Sequence, residues 1–217
     1  MIVIPIHHII QPVKDLLDDL RSFNIKIPIS IIDTGTKFPF LEEIRESYSE
    51  LNIELYTTPQ RNFDTGAYMF AINNIKADRY YFLHDSLRIK TPHFFEEIDK
   101  KLCVGTVVSL TTFEKEIGYE NERQRLFVLK NWDTTEFKKG IYGPMFAILR
   151  LDIEKFWSDL PKILPTNKLE QMAMERGWAV FCERNNLNIV ESEENKDFRY
   201  QCKDGFTHFK KILYIRQ

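Results

Sequence analysis

The chain has 217 residues, 43% of them hydrophobic and 13% aromatic, enough to bury a full core and suited to one large domain over residues 1–217. A formal charge of −2 excludes a general electrostatic attraction to nucleic acid or to an anionic membrane surface, so no nucleic-acid partner is expected. The three cysteines, Cys103, Cys182 and Cys202, are scattered without metal-ligand spacing, which excludes a disulfide framework and fits a reducing, cytoplasmic setting.

The opening MIVIPIHHII is too short and too interrupted by histidine for a transmembrane segment, and it lacks the basic start and cleavage site of a signal peptide. Residues 2–6 predict a buried strand instead, with Pro5 tolerable only where the strand leaves its ladder and His7 and His8 at the exit. Gln11-Pro12 opens a helix whose apolar stripe is Val13, Leu16, Leu17, Leu20 and Phe23. Residues 27–32 form the next strand, ending in Asp33-Thr34-Gly35-Thr36. After Pro39, Leu41, Ile44, Tyr48 and Leu51 mark one face of a second helix, and residues 53–56 a third strand. This alternation predicts an α/β fold with a mainly parallel central sheet, flanked by helices through right-handed crossovers.

The stretch RNFDTGAYMFAINNIKADRYYFLHDSLRIK, residues 61–90, then joins a polar loop, a helix and a strand. Asp64 is the expected helix cap, and Gly66 is expected to let a ligand approach the backbone closely. Tyr80-Tyr81-Phe82-Leu83 reads as a buried central strand that breaks abruptly into His84-Asp85-Ser86, delivering polar groups to the sheet edge where ligands sit in open α/β folds. Farther on, Thr91-Pro92 begins a helix through Phe94, Phe95 and Ile98, and residues 104–111 are strand-like. The segment from Phe113 to Gly140 is the least regular and suits a loop or acceptor contacts. Gly143-Pro144 leads into a strand over residues 145–149, Asp152 caps a helix reaching Trp157, a long helix covers residues 168–184, and a strand covers 187–190. A tail after Asp197 contains His208.

An acidic residue at a strand end, as Asp33 is, holds a base or ribose in mononucleotide-binding halves; an Asp before Gly also makes a turn without any ligand. Neither a phosphate-binding G-x-x-x-x-G-K-[ST] loop nor a G-x-G-x-x-G after the first strand is present, which removes P-loop enzymes and classical dinucleotide binders. The first-strand proline, the Asp33 strand end, and RNFDTGAY followed by a strand ending in LHDS resemble glycosyltransferases of the GT-A fold, most closely the rhamnan-synthesis type. The resemblance covers about residues 1–90, the expected nucleotide-binding part, leaving about 91–217 for acceptor and catalysis.

What the resemblance implies is a sugar transferred from a nucleotide-diphosphate donor of UDP or dTDP type, rhamnose or glucose among the candidates, to a hydroxyl of a glycan or glycoconjugate acceptor. It places Asn62 and Asp64 in the donor pocket; His7, Asp33 and Gly66 at the same strand ends, His84 beside Asp85, and Arg61, whose fork of donors suits phosphate, are the other donor-side candidates. Where such enzymes carry Asp-x-Asp on the central strand, this chain has His84-Asp85-Ser86, so Asp85 is the residue carried over to a Mn2+ or Mg2+ ion, and His208 stands where a late histidine completes such sites. A carboxylate plus phosphate oxygens suits a hard cation that neutralises a departing diphosphate. Without a ligand, Asp85 would simply cap the following turn, Asp64 would cap its helix, and Arg61 and His208 would be surface residues.

Inverting transfer also needs a base for the acceptor hydroxyl. Glu170 and Glu175 lie five residues apart, roughly 140° round a helix, so they do not share a task. Glu170 follows Asn167 in a capping-box arrangement, whereas Glu175 has Met172, Trp178, Ala179 and Cys182 at helical-neighbour spacings, an apolar face that tolerates a carboxylate poorly unless it is used. Glu175 is therefore the first candidate base and Glu170 the second. The competing reading is a binding module for nucleotide or carbohydrate, without catalysis and with a degenerate metal site.

Overall fold

The computed structural model describes residues 1–7, 9–35, 40–58, 62–115, 118–193 and 206–211. Its first half follows the alternation read from the sequence: β1 (Ile2–Ile6), α1 (Gln11–Ser22), β2 (Ile29–Asp33), α2 (Phe40–Ser47), β3 (Ile53–Thr57), α3 (Phe63–Asn74) and β4 (Arg79–Phe82). The second half contains β5 (Leu87–Ile89), α4 (Phe94–Lys101), β6 (Thr106–Ser109), β7 (Thr112–Glu114), α5 (Glu122–Trp132), β8 (Lys139–Ile141), β9 (Phe146–Leu149), α6 (Arg150–Lys155), α7 (Lys168–Arg184), β10 (Asn188–Glu191) and β11 (Phe209–Lys211). Seven strands form the central sheet in the order β10-β6-β9-β4-β1-β2-β3. Only β9 runs antiparallel to its neighbours, β4 and β6. The mainly parallel α/β sheet is therefore the observed one, and β4 lies in its middle.

Chain order also locates the ligand edge. From β1 the chain steps outward through β2 to β3, then returns to place β4 on the other side of β1. That reversal makes the crevice between the carboxyl ends of β1 and β4 the topological switch point. Pro5 shows how the crevice opens. Ile2 N–H donates to Pro28 O at 2.8 Å and Ile6 O accepts from Thr34 N at 3.1 Å, so the even-numbered residues of β1 bond β2. The odd-numbered ones face β4, where Val3 O accepts from Leu83 N at 3.0 Å. Pairing with β4 stops at Val3, so the N–H that Pro5 lacks has no ladder partner to lose, and the two strands part ahead of His7.

Alternation along the strands divides the core between the two faces of the sheet. Val3, Tyr80 and Phe82 pack with Tyr68, Phe146, Trp178 and Phe181 under α3, α5 and α7. Ile2, Ile4, Tyr81 and Leu83 pack on the opposite face with Leu16, Leu17, Ile44, Phe94 and Phe209. Burial on both faces explains why β1 and β4 read as continuous apolar runs rather than alternating ones.

Several local expectations are corrected. The least regular segment contains α5, eleven residues long and capped by the Asn121 side chain, which accepts from Gln124 N at 3.0 Å. The strand expected over residues 104–111 is the shorter β6, and a further strand, β7, follows after Leu110-Thr111 and pairs with β8. Asp152 does not cap its own helix; its two carboxylate oxygens accept from Gly105 N at 3.0 and 3.1 Å, pinning the turn before β6. No strand is apparent in the sequence at β5, which pairs with the distant β11 and is tied to α1 by Arg88, whose Nε and Nη2 donate to Asp19 at 2.7 and 2.6 Å.

Candidate functional site

The carboxyl ends of β1, β2 and β4 bring together much of what the sequence singles out. His7 follows β1, and its Nδ1 lies 3.1 Å from Thr34 O. A carbonyl only accepts, so Nδ1 carries the proton in this contact. Asp33 closes β2, is 4% exposed, and accepts through its backbone carbonyl from Thr58 N at 2.9 Å. Arg61 lies outside the described residues.

The start of α3 differs from expectation in its cap. Asn62, not Asp64, is the N-cap, and it makes no side-chain capping bond; Asp64 lies inside the first turn. Gly66 lines a cavity with Thr58, Asn62 and Met69, and a Cβ there would lie 2.2 Å from Asn62 Cβ. Packing within its own first turn is thus one reason for glycine there. Phe63 is held at φ +53°, a left-handed conformation that is a true outlier for a bulky side chain, and strain of this kind concentrates at functional sites.

Freed from capping, the Asp64 carboxylate turns toward β4 and α7. Its Oδ2 lies 3.2 Å from His84 Nε2 and accepts from Gln171 Nε2 at 3.2 Å. The amide oxygen of Gln171 in turn accepts from Thr65 N at 3.4 Å, so one side chain of α7 grips the first turn of α3 at two points. Tyr68, one helical turn after Asp64, is buried with its ring 4.4 Å from that of Phe82. Burial, and after it the negative charges of Asp64 and Asp85, push its phenol well above the usual tyrosine range.

The two glutamates of α7 have different surroundings. Glu175 Oε1 accepts from Gly143 N at 3.1 Å and Oε2 from Arg176 Nη1 at 2.8 Å, with the side chain 15% exposed. Gln171 and Glu175 are four residues apart and share one face of the helix. This places Glu175 one turn from the Asp64 contact. Glu170 instead accepts from Thr166 N at 2.7 Å and Thr166 Oγ1 at 2.8 Å, while Asn167 Oδ1 accepts from Glu170 N at 3.1 Å. The reciprocal bond expected to the Asn167 N–H is made one residue earlier. Burial opposes ionisation of Glu170, but these bonds outweigh it and hold the carboxyl below its usual range.

Gln171 and Arg176 are site-shaping residues not singled out from the sequence. Arg176 is 3% exposed, donates through Nε to Gly118 O at 2.9 Å, and lies 4.6 Å from the centre of the Phe113 ring. The only sequence signal for Gln171 is its i, i+4, i+7 relation to Glu175 and Trp178, a pattern visible once Glu175 is suspected.

His208 is not brought to Asp85. It lies opposite Lys90, at the end of the β5–β11 pair remote from Leu87, with Nδ1 2.6 Å from Thr91 Oγ1. Among the described residues no group of three or more His, Cys, Asp or Glu side chains is arranged to hold a metal ion. Asp85, with Asp64 acting on the same buried phenol, offers oxygen donors of the hard kind. One or two carboxylates completed by substrate phosphates suit Mg2+ or Mn2+ better than a closed protein cage would. Among the described residues no helix is long and apolar enough to cross a membrane.

No protein-family model matches this sequence, and no curated protein matches it. Solved structures do match its fold. The mannosyltransferase PcManGT from Pyrobaculum calidifontis, in complex with GDP-Man and Mn2+, matches with a TM-score of 0.59 at 13% identity, over 88% of this chain and 53% of that one. Residues 1–349 of TarS from S. aureus, in complex with UDP-GlcNAc, match with a TM-score of 0.51 at 11% identity, over 93% of this chain and 60% of that one. GalNAc-T7 with UDP, GalNAc and Mn2+ matches with a TM-score of 0.50 at 12% identity, over 81% of this chain and 40% of that one. The chain thus spans 40% to 60% of the length of these proteins. With a central sheet whose order reverses between β1 and β4, and with these neighbours, the chain has the GT-A fold.

Proposed function

We propose that this chain is a glycosyltransferase that moves a sugar from a nucleotide-diphosphate donor to a hydroxyl of a glycan acceptor, with inversion. The observation that carries the reading is the placement of Glu175 on α7, one turn from the Gln171–Asp64 contact and so beside the edge where β4 ends in His84-Asp85. The donor would lie in the crevice between β1 and β4, its nucleoside toward His7 and Asp33 and its diphosphate toward Asp64, His84 and Asp85. A divalent cation held by Asp85 and phosphate oxygens would neutralise charge on the leaving diphosphate.

In this reading Glu175 takes the proton from the acceptor hydroxyl as that oxygen bonds to the anomeric carbon, and the bond from that carbon to the diphosphate oxygen breaks. Gly143 N–H and Arg176 hold the carboxylate in place, and an ionised carboxylate has about four lone-pair sites, so it retains capacity for the hydroxyl. The neighbours solved with GDP-Man and UDP-GlcNAc support a nucleotide-sugar donor. Likeness of RNFDTGAY and LHDS to the rhamnan-synthesis type favours UDP- or dTDP-linked deoxyhexose or glucose, and the few scattered cysteines favour the cytoplasm.

One observation favours a second reading, a nucleotide- or carbohydrate-binding module without catalysis: the lone carboxylate of His84-Asp85-Ser86 and the lack, among the described residues, of a three-ligand metal cluster. Thermal shift and calorimetry with a panel of nucleotide sugars, with and without Mn2+, followed by a transfer assay on the best binder, decide between them. Binding with release of nucleoside diphosphate is expected. Binding without turnover would leave the module, and no binding of any uridine, thymidine or guanosine diphosphate would remove the glycosyltransferase and the nucleotide-binding form of the module, leaving carbohydrate binding alone.

A further inference from the structure

Tyr68 lies where its hydroxyl is hard to explain by packing. The residue is 0% exposed, its ring packs at 4.4 Å on that of Phe82, tilted by 33°, and lies edge-on to Phe146 at 6.3 Å, and its hydroxyl has no hydrogen-bond partner among the described residues. Phenylalanine would fill the same space without a buried polar atom, and an unsatisfied buried hydroxyl is destabilising. Two carboxylates act on the Tyr68 phenol, Asp64 and Asp85. Asp64 precedes Tyr68 by four residues on the same helix, hence one turn along the same face. Asp85 follows Phe82, the residue beneath the ring, by three positions across the end of β4.

Building on the donor reading above, we propose that Tyr68 is a positioning residue of the diphosphate subsite, its hydroxyl donating to the Asp85 carboxylate when a nucleoside diphosphate is seated. The bond would fix the carboxylate's rotamer from below and leave its other oxygen for the diphosphate and its cation. No proton is transferred; the phenol donates a hydrogen bond and stays neutral. Such a bond to a charged acceptor is among the stronger ones in proteins. An internal water held at the seam of α3 and α7 is the structural alternative, because Thr65 Oγ1 and Trp178 Nε1 also lack partners there among the described residues.

The test is a double-mutant cycle of Tyr68→Phe and Asp85→Asn, with UDP, dTDP and GDP binding measured by calorimetry in Mn2+ and melting curves on each protein. Tyr68→Phe is expected to melt at or above the wild-type temperature and to bind the nucleotide about ten- to a hundredfold more weakly, as expected for a hydrogen bond to a charged group. Adding it to Asp85→Asn is expected to weaken binding no further, because the hydroxyl acts through that carboxylate. Unchanged affinity in Tyr68→Phe overturns the proposal while leaving the donor site standing. A lowered melting temperature with unchanged affinity assigns the hydroxyl to an internal water and overturns it likewise. Additive losses in the double variant show that Tyr68 acts independently of Asp85, again against it. A wild-type protein that binds none of the three nucleotides overturns the donor reading itself, and this proposal with it.

Discussion

Glu170 and Glu175 share a helix and differ in what they hold, so their removal should be felt in different measurements. Loss of a general base lowers turnover by ~10²–10⁴-fold. If Glu175 is the base, Glu175→Gln should show that fall in kcat with nucleotide affinity intact, because its carboxylate is held by Gly143 N–H and Arg176 on α7. Full activity in Glu175→Gln would move the base elsewhere. Glu170→Gln should instead lose about 1 kcal/mol of stability or less and keep its chemistry, since Glu170 closes the helix start on Thr166. The pH dependence has a definite sign. The folded-state pKa of Glu170 lies below its ordinary value of 4.5, so its stabilisation is present above that value and fades as pH falls through it toward the folded pKa. Melting temperatures of wild type and Glu170→Gln should therefore converge below about pH 4.5. A gap that persists or widens there would show that the bonds to Thr166 are not what Glu170 contributes. At the strand end, Asp85→Asn should keep the wild-type melting temperature and lose the Mn2+-dependent part of nucleotide binding, because a partly exposed turn carboxylate is no core element. Wild-type turnover unaffected by EDTA would remove the cation from the reaction and leave His84 and the α3 start to meet the diphosphate.

At the scale of elements, the first turn of α3 makes the sharpest prediction. Alanine in place of a helical glycine ordinarily stabilises by about 0.5–1 kcal/mol. Here the new Cβ would lie 2.2 Å from Asn62 Cβ, and overpacking costs ~1–3 kcal/mol, so Gly66→Ala should lower the melting temperature despite its better helix propensity. Combining it with Asn62→Gly, which removes the obstructing atom, should recover most of the loss; a Gly66→Ala protein as stable as wild type would show the turn yielding freely. The same turn shows why elements were more legible in the sequence than contacts. Periodicity and strand-end polarity mark α1, α3, α7, β1 and β4 because each buries a continuous stripe or run, and that information is local. Capping at Asn62 rather than Asp64 depends on Asp64 being drawn away by His84 and Gln171, the latter 107 residues later. β5 depends on a partner more than a hundred residues away, and Asp152 on the distant Gly105 turn, so neither leaves a mark in its own neighbourhood. Of the candidate site, the carboxylates and histidines at strand ends were legible. Tyr68 and Gln171 were not, because their positions in the core and on α7 look like ordinary helix filling until α3 and α7 are set side by side.

For the whole molecule, the sheet joins what the sequence divides. The strands β1–β4 and the later strands β6, β9 and β10 belong to one sheet, and β9 couples the halves by pairing with β4 over Arg79–Phe82 on one side and with β6 on the other. The core under α3 and α7 crosses the same divide, with Tyr68 and Phe82 from the first half packed on Phe146, which in turn meets Trp178 at 5.1 Å. No seam poor in contacts separates residues 1–90 from the rest within the described sheet, so the chain should unfold as one cooperative unit. The sequence supplies the probes for this. All three tryptophans, Trp132, Trp157 and Trp178, lie in the second half, so their fluorescence reports that half alone, whereas far-UV circular dichroism reports helices of both. In a urea titration the two signals should share one midpoint and one slope. If the nucleotide half were an independent domain, dichroism would retain a second transition after the fluorescence change is complete, or begin one before it. Adding a nucleoside diphosphate sharpens the contrast. A ligand that binds only the native state raises stability by RT ln(1 + [L]/Kd), and in a single cooperative unit that rise must move the tryptophan midpoint although every tryptophan lies outside residues 1–90. A nucleotide that shifted the dichroism midpoint and left the tryptophan midpoint in place would divide the chain into two domains at β4.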